Sequence, residues 1–152
     1  MAKLNCVVIL GVVAFISTVS ALSEADRKAI EADVIPIIVE CGSKFKIAKD
    51  NVLAAKEVTD IDALNPCFIA CCLKKMKIIN DDGYFAPEAV KSQNAKYIHD
   101  EELAKKLDTV SDTCVPVNDQ AVSDGAEGCD RAKLLLGCMK EHKDIFISLF
   151  KA

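Results

Sequence analysis

Three cysteines fall within six residues in the stretch NPCFIACCLKKM, Asn65 to Met76, the densest cluster of reactive side chains in the chain. Thiols this close serve zinc sites, redox centres or disulfide anchors, and each use needs different residues around them. Of the eight cysteines, Cys6 lies near the start, leaving Cys41, Cys67, Cys71, Cys72, Cys114, Cys129 and Cys138. Cys67 and Cys71 are i and i+4, on one helical face, while Cys72 points roughly 100° away. A helix with two facing thiols can be tied to two other segments at once, and in an odd set Cys72 is the natural unpaired member.

The rival chemistries fail on particular positions. Structural zinc wants two short ligand spacings, and Cys114, Cys129 and Cys138 are too spread out to supply the second. Thioredoxin-type redox chemistry needs a C-x-x-C motif, which is absent. Secreted phospholipases A2 also carry adjacent cysteines on a helix, but with the catalytic histidine three residues after the second; here that position is Lys75. Plant lipid-transfer proteins follow their Cys-Cys pair with a C-x-C that this chain lacks. No nucleophile elbow, HExxH, EF-hand loop or Gly-rich phosphate motif occurs, so the sequence assigns no catalytic residue, metal ligand or cofactor.

The elements that carry the cysteines read as helices. Ser23 with Asp26 resembles a capping box, and Ile30, Val34, Ile37 and Cys41 follow at helical spacing, which predicts a helix over 23–42 with a kink or break before Pro36. Asp50 to Glu57 is a weaker helix. Asn65 at an N-cap and Pro66 at the first helical position start another, predicted to reach Ile79. A turn at Asp81–Tyr84 follows, then helices from Pro87 to Ile98, from Asp100 to Cys114 and from Ala126 to His142. The longest loop is Pro116 with the polar stretch after it, and the chain closes on an apolar tail. No strand pattern is sustained, so the fold class is all-α.

The first residues, MAKLNCVVILGVVAFISTVSA, place Lys3 before an apolar run and small residues at Val19, Ser20 and Ala21. This is the pattern of a secretory signal peptide over 1–21, leaving a single domain over 22–152; the unbroken apolar run is well short of the roughly 20 residues of a membrane span. A secreted, extracellular chain favours oxidised thiols. The net charge of -4 argues against nucleic acid, which requires clustered Lys and Arg.

Counted from Cys41, the gaps to Cys67, Cys71, Cys114, Cys129 and Cys138 are 25, 3, 42, 14 and 8 residues. This ladder resembles the six-cysteine signature of insect odorant-binding proteins, the pheromone and general odorant-binding family, with Cys72 as a departure. The resemblance implies a compact bundle of about six helices around an apolar cavity. It also implies the pairing first to third, second to fifth and fourth to sixth: Cys41 with Cys71, Cys67 with Cys129, and Cys114 with Cys138. Cys72 is then a free thiol.

In such proteins the interior binds small hydrophobic volatiles, with walls near the cysteine ladder and from the segment after the sixth cysteine. Carried over by position, the ligand-binding residues are Val34, Ile69, Leu73, Val110, Leu135 and Met139. Ile69, Leu73 and Met76 make an apolar stripe on the third helix, about 200° from Cys67. The tail carries Ile145, Phe146, Ile147, Leu149 and Phe150, each worth roughly 1.5 to 3 kcal/mol if buried, so it is expected to dock with Phe146 or Phe150 inserted. Tyr84, Tyr97 and Ser111 are candidate polar contacts, and His99 and His142 candidate acid-sensitive groups.

The expected function is a non-enzymatic carrier of a small hydrophobic ligand through aqueous lymph. It would be a monomer or weak homodimer, reaching a membrane olfactory receptor only indirectly. The alternative is a secreted disulfide-rich lipid-binding, defence or interaction protein outside olfaction.

Overall fold

In the computed structural model, which describes residues 22–48, 50–51 and 63–145, α1 runs through Glu24–Phe45. Ser23 Oγ accepts the Asp26 N–H at 3.0 Å at its start. The helix continues through Pro36 without the predicted break. Pro36 and Ala32 are both exposed, so the carbonyl that proline deprives of a partner can bond to water. Gly42 near its end has no substitute: a Cβ there would lie 2.5 Å from the Ile47 carbonyl oxygen.

Helix α2, Pro66–Lys75, begins as expected, with Asn65 Oδ1 accepting the Cys67 N–H at 2.8 Å. It ends four residues before Ile79. Lys77 adopts a left-handed φ of 62°, and the Ile78 and Lys77 N–H groups return to the Leu73 and Lys74 carbonyls, each at 2.9 Å. This is the Schellman closure, normally announced by glycine; a lysine in that place hides it. Replacing Lys77 with glycine removes about 1–2 kcal/mol of left-handed strain and restores about 0.4–1 kcal/mol of unfolded-chain entropy, so Lys77→Gly should gain about 0.5–1 kcal/mol in urea denaturation.

The Asp81–Tyr84 turn forms where predicted. Asn80 Oδ1 accepts the Asp82 and Tyr84 N–H groups at 3.1 and 2.9 Å, and Ile79 and Phe85 close an isolated antiparallel bridge. Gly83 (φ 85°) lies so close to the loop ahead of the last helix that a Cβ would meet the Gly125 carbonyl oxygen at 2.3 Å. Next come α3, Pro87–Tyr97, and α4, Glu101–Thr113, the latter capped by Asp100 Oδ1 on the Leu103 N–H at 2.8 Å.

The long loop contains two 3₁₀ helices, Val115–Asp119 and Gly125–Glu127, so the final helix α5 is Cys129–Glu141 and starts later than predicted. Gly128 turns left-handed at φ 79°, and Asp124 caps the helix by accepting the Cys129 and Asp130 N–H groups at 2.6 and 3.1 Å. Asp130 reciprocates by accepting from Ser123 N–H and Oγ–H at 2.8 and 2.7 Å.

The architecture is an all-α bundle. Five α-helices are described in full; Asp50 and Asn51, also helical, stand where the predicted weaker helix begins, and the rest of that helix through Glu57 lies outside the described residues. So do the predicted leader over 1–21 and the tail residues Phe146 and Phe150. No described helix is long and apolar enough to cross a membrane.

Helix α2 packs between α1 and α5, and α3 lies against α4. Three bridges lock this arrangement: Cys41 to Cys71 joins α1 to α2, Cys67 to Cys129 joins α2 to α5, and Cys114 to Cys138 joins the end of α4 to α5, with Cα separations of 5.9, 4.4 and 5.8 Å. The buried apolar residues divide into three patches: one around Ile38, Cys41, Phe68, Ile79 and Leu136, a second around Phe85, Val110, Cys114, Val117 and Leu135, and a third of Leu22, Leu103 and Leu107. A domain of this size ordinarily has one contiguous core. An apolar hollow opens along the second and third patches, and a separate, more polar pocket lies beside the first at Leu64, Ile69 and Leu136.

Candidate functional site

The hollow has two chambers. The inner one, about 110 Å³, is walled by Leu73 from α2, Phe85 just before α3, Val90 from α3, Val110 from α4, and Leu135 and Met139 from α5. The outer one, about 430 Å³, is walled mainly by α1 and α3, including Ile30, Val34, Met76 and Ile98. Ile78, Asn94 and Leu107 border both. The outer volume falls within the roughly 300–1,000 Å³ of small-molecule sites, and the inner chamber extends it with an almost wholly apolar pocket.

The walls follow from the helix pattern. Leu103, Leu107 and Val110 recur at three- and four-residue spacing and form the buried face of α4. Leu135 and Met139, i and i+4, do the same on α5. The Schellman turn after Lys75 swings Ile78 off the helix and into the wall between the chambers.

The structure therefore places Leu73, Val110, Leu135 and Met139 on the inner chamber, and Val34 and Met76 on the outer. Ile69 is elsewhere. It is buried in the first core patch, one turn before Leu73, where α2 is still wedged between α1 and α5. Ile69 also borders a separate, more polar pocket with Leu64, Lys133 and Leu136, so the stripe on α2 reaches the apolar hollow only at its far end.

Phe85, Ile78, Val90, Asn94 and Leu107 are wall residues that spacing along the cysteine ladder did not single out. For Leu107 the amphipathic pattern was the available signal; for Phe85, in a turn, there was none. Phe85 is held by a two-pronged contact with Asn118, whose Oδ1 accepts its N–H at 2.8 Å and whose amide donates to its carbonyl at 2.9 Å.

Polar groups on the walls are few. Ser111 is buried on the inner chamber, with only a long bond, 3.4 Å, to the Pro87 carbonyl. Asn94 donates to Asp108 at 2.8 Å. Tyr97 lines the outer chamber with its hydroxyl bonded to Asp33, which also pairs with Lys96 at 2.5 Å. Lys96 and then Tyr97 hold the Asp33 carboxyl below the usual carboxylate range. Tyr84 faces solvent, far from this role, with Arg131 over its ring at 5.4 Å.

His99 is exposed and meets the buried Asp26 at 2.5 Å, tying the start of α1 to the α3–α4 connection. Ser23 and then His99 hold the Asp26 carboxyl low, although burial opposes them. With its folded value depressed, that carboxylate contributes fully above the ordinary Asp range, and its contribution is lost as pH falls through the lowered value. His142 is the half-buried cap at the end of α5.

Cys72 is free and half-buried, and burial pushes its thiol up to about 11, so it stays protonated and a poor nucleophile at neutral pH. Among the described residues no group of acidic, His or Cys side chains is placed to hold a metal ion.

Three bridges in the first-to-third, second-to-fifth and fourth-to-sixth order, on helices enclosing an apolar hollow, narrow the comparison to one kind of protein. The PBP/GOBP family profile matches residues 23–142. This chain belongs to the PBP/GOBP family. Its cysteine pairs and all-α bundle fit an insect odorant-binding protein. PBP/GOBP proteins are secreted carriers of small hydrophobic ligands, a binding family and not an enzymatic one. No curated protein and no solved structure matches the chain.

Proposed function

We propose that this PBP/GOBP chain is secreted after loss of residues 1–21 and carries a small hydrophobic ligand of odorant or pheromone type through aqueous lymph, the ligand occupying both chambers. The observation that supports this reading is the hollow itself: Leu73, Val110, Leu135 and Met139 leave about 110 Å³ unfilled at the centre of a crosslinked domain. Packing that space would stabilise the fold by roughly 24 cal/mol per Å³, so leaving it open costs stability and needs a use. In this reading Val34 and Met76 hold the outer part of the ligand, the tail with Phe146 and Phe150 covers the chamber, and delivery to a membrane receptor is indirect.

Val90 on α3 tests this, because it is half-buried against the inner chamber and a larger side chain there can grow into empty space. Val90→Phe is expected to raise the unfolding free energy by about 1 kcal/mol while weakening binding of the fluorescent apolar probe N-phenyl-1-naphthylamine about tenfold. Unchanged probe binding in a folded variant would put the ligand elsewhere.

A further inference from the structure

The outer chamber carries one feature that an apolar carrier does not need. Arg27, one of only two arginines among 19 Lys and Arg residues, lines its wall from the first turns of α1. The residue is half-buried, and its Nε is fully buried with no hydrogen-bond partner among the described residues. A buried guanidinium N–H without an acceptor is costly, because it has lost water and gained nothing in exchange. No described carboxylate lies within ion-pair distance of it, not even Glu31 one turn on, which lines the same chamber.

Of the other polar groups on that wall, Gln93 is neutral, Glu31 is anionic, and two are already engaged. Tyr97 bonds to Asp33, and the Asn94 amide to Asp108. Arg27 is therefore the one positive charge on the described chamber wall, and its forked donors match the two oxygens of a carboxylate. Beyond it the walls become apolar through Ile30, Val34 and Ile78 to the inner chamber.

We infer that the ligand is an aliphatic carboxylate, its head group bonded to Arg27 at the outer chamber and its hydrocarbon chain threaded past Ile78 and Leu107 into the inner one. This rests on the carrier reading above and adds the chemical class and orientation of the cargo. Glu31 limits the affinity: its charge, on the same wall, opposes a second carboxylate.

Calorimetric titration of the mature chain at neutral pH with dodecanoate and with 1-dodecanol tests the assignment. Dodecanoate is expected to bind about tenfold more tightly than the alcohol, since a charge-assisted hydrogen bond is stronger than a neutral one and Glu31 offsets part of that gain. Arg27→Gln should erase that advantage and leave the alcohol within twofold, and Glu31→Gln should enlarge it about threefold. If the alcohol binds as tightly as the acid to the unmodified protein, or Arg27→Gln weakens both alike, the head-group assignment falls and the carrier reading stands. Binding of neither ligand, with no displacement of N-phenyl-1-naphthylamine by other apolar compounds, would bring down the carrier reading itself.

Discussion

Replacing Cys41 and Cys71 together by alanine is expected to lower the unfolding free energy by about 4–5 kcal/mol and to abolish ligand binding in the outer chamber. The bridge closes a loop with a sequence separation of 30, for which the chain-entropy model gives about 3.7 kcal/mol. The Cys67–Cys129 loop, at 62, gives about 4.3 kcal/mol, and Cys114–Cys138, at 24, about 3.5 kcal/mol. Loop length thus separates the three by less than 1 kcal/mol, so packing also counts. Cys41 is fully buried in the first core patch and Cys114 in the second, whereas Cys67 and Cys129 are both half-exposed. The Cys67–Cys129 bridge therefore gains least from packing, and Cys41–Cys71 exceeds Cys114–Cys138 only by its longer loop. Removing the Cys41 sulfur leaves a cavity that adds about 1 kcal/mol.

The functional part of that expectation follows from what else holds α1. Its other ties are the polar contacts of Glu40 with Lys75, Asp33 with Lys96 and Tyr97, and Asp26 with His99, most of them at the surface, and the packing of Ile38 and Phe45 near its far end. Arg27, Ile30 and Val34 all sit on this helix and form one side of the outer chamber. Against a total stability of about 5–15 kcal/mol, losing the bridge leaves α1 loosely attached. Urea denaturation and probe titration of Cys41→Ala/Cys71→Ala measure both effects. A loss below about 2 kcal/mol with intact binding would show that helix packing, not the crosslink, positions α1.

What the sequence disclosed and what it concealed divide along the reach of the interactions. Ser23, Asn65 with Pro66, Pro87 and Asp100 act on their own helix starts within two or three residues, and each start falls where those residues indicate. The cysteine gaps carried the bridges because they belong to a known pattern, not because spacing alone chooses partners. Helix ends were harder. Lys77 occupies a left-handed position without the glycine that would have signalled it, and α5 waits for Gly128 and Asp124, which read as loop.

The site was legible only where its walls belong to a periodic face. Leu73, Val110, Leu135 and Met139 are apolar residues on helices, and periodicity points them inward. Whether an inward residue meets the apolar hollow or the packing between α1, α2 and α5 depends on how the helices diverge. That is why Ile69 and Leu73, one turn apart, have different surroundings. Arg27 and Arg131 left only a faint trace: in a lysine-rich chain, arginine is used just twice, and both copies are turned at least partly inside.

Arg131 gives the second large effect, because it is a buried charge with no carboxylate paired to it among the described residues. It is only 3% exposed. Its guanidinium donates to the Val117 carbonyl, to Gln120 at 3.1 Å and to Gly83 at 3.4 Å, joining the Asp81–Tyr84 turn to the 3₁₀ helix after Cys114. Substituting Met relieves the guanidinium's desolvation, which favours the variant by several kcal/mol at most. It also takes a donor from the buried Gly83 and Val117 carbonyls, at about 1–3 kcal/mol each; Val117 keeps only the long bond from the Gln120 N–H at 3.4 Å, while Gln120 itself lies at the surface. The second effect is the larger, and Arg131→Met should lose about 2 kcal/mol in urea denaturation. Both segments it ties reach Phe85, one by chain continuity and the other through Asn118. The Phe85 amide should therefore exchange with deuterium faster in the variant, and N-phenyl-1-naphthylamine should bind more weakly as that wall of the inner chamber loosens. Equal stability with an equally protected Phe85 amide would mean that the carbonyls find other donors and that Arg131 is packing alone.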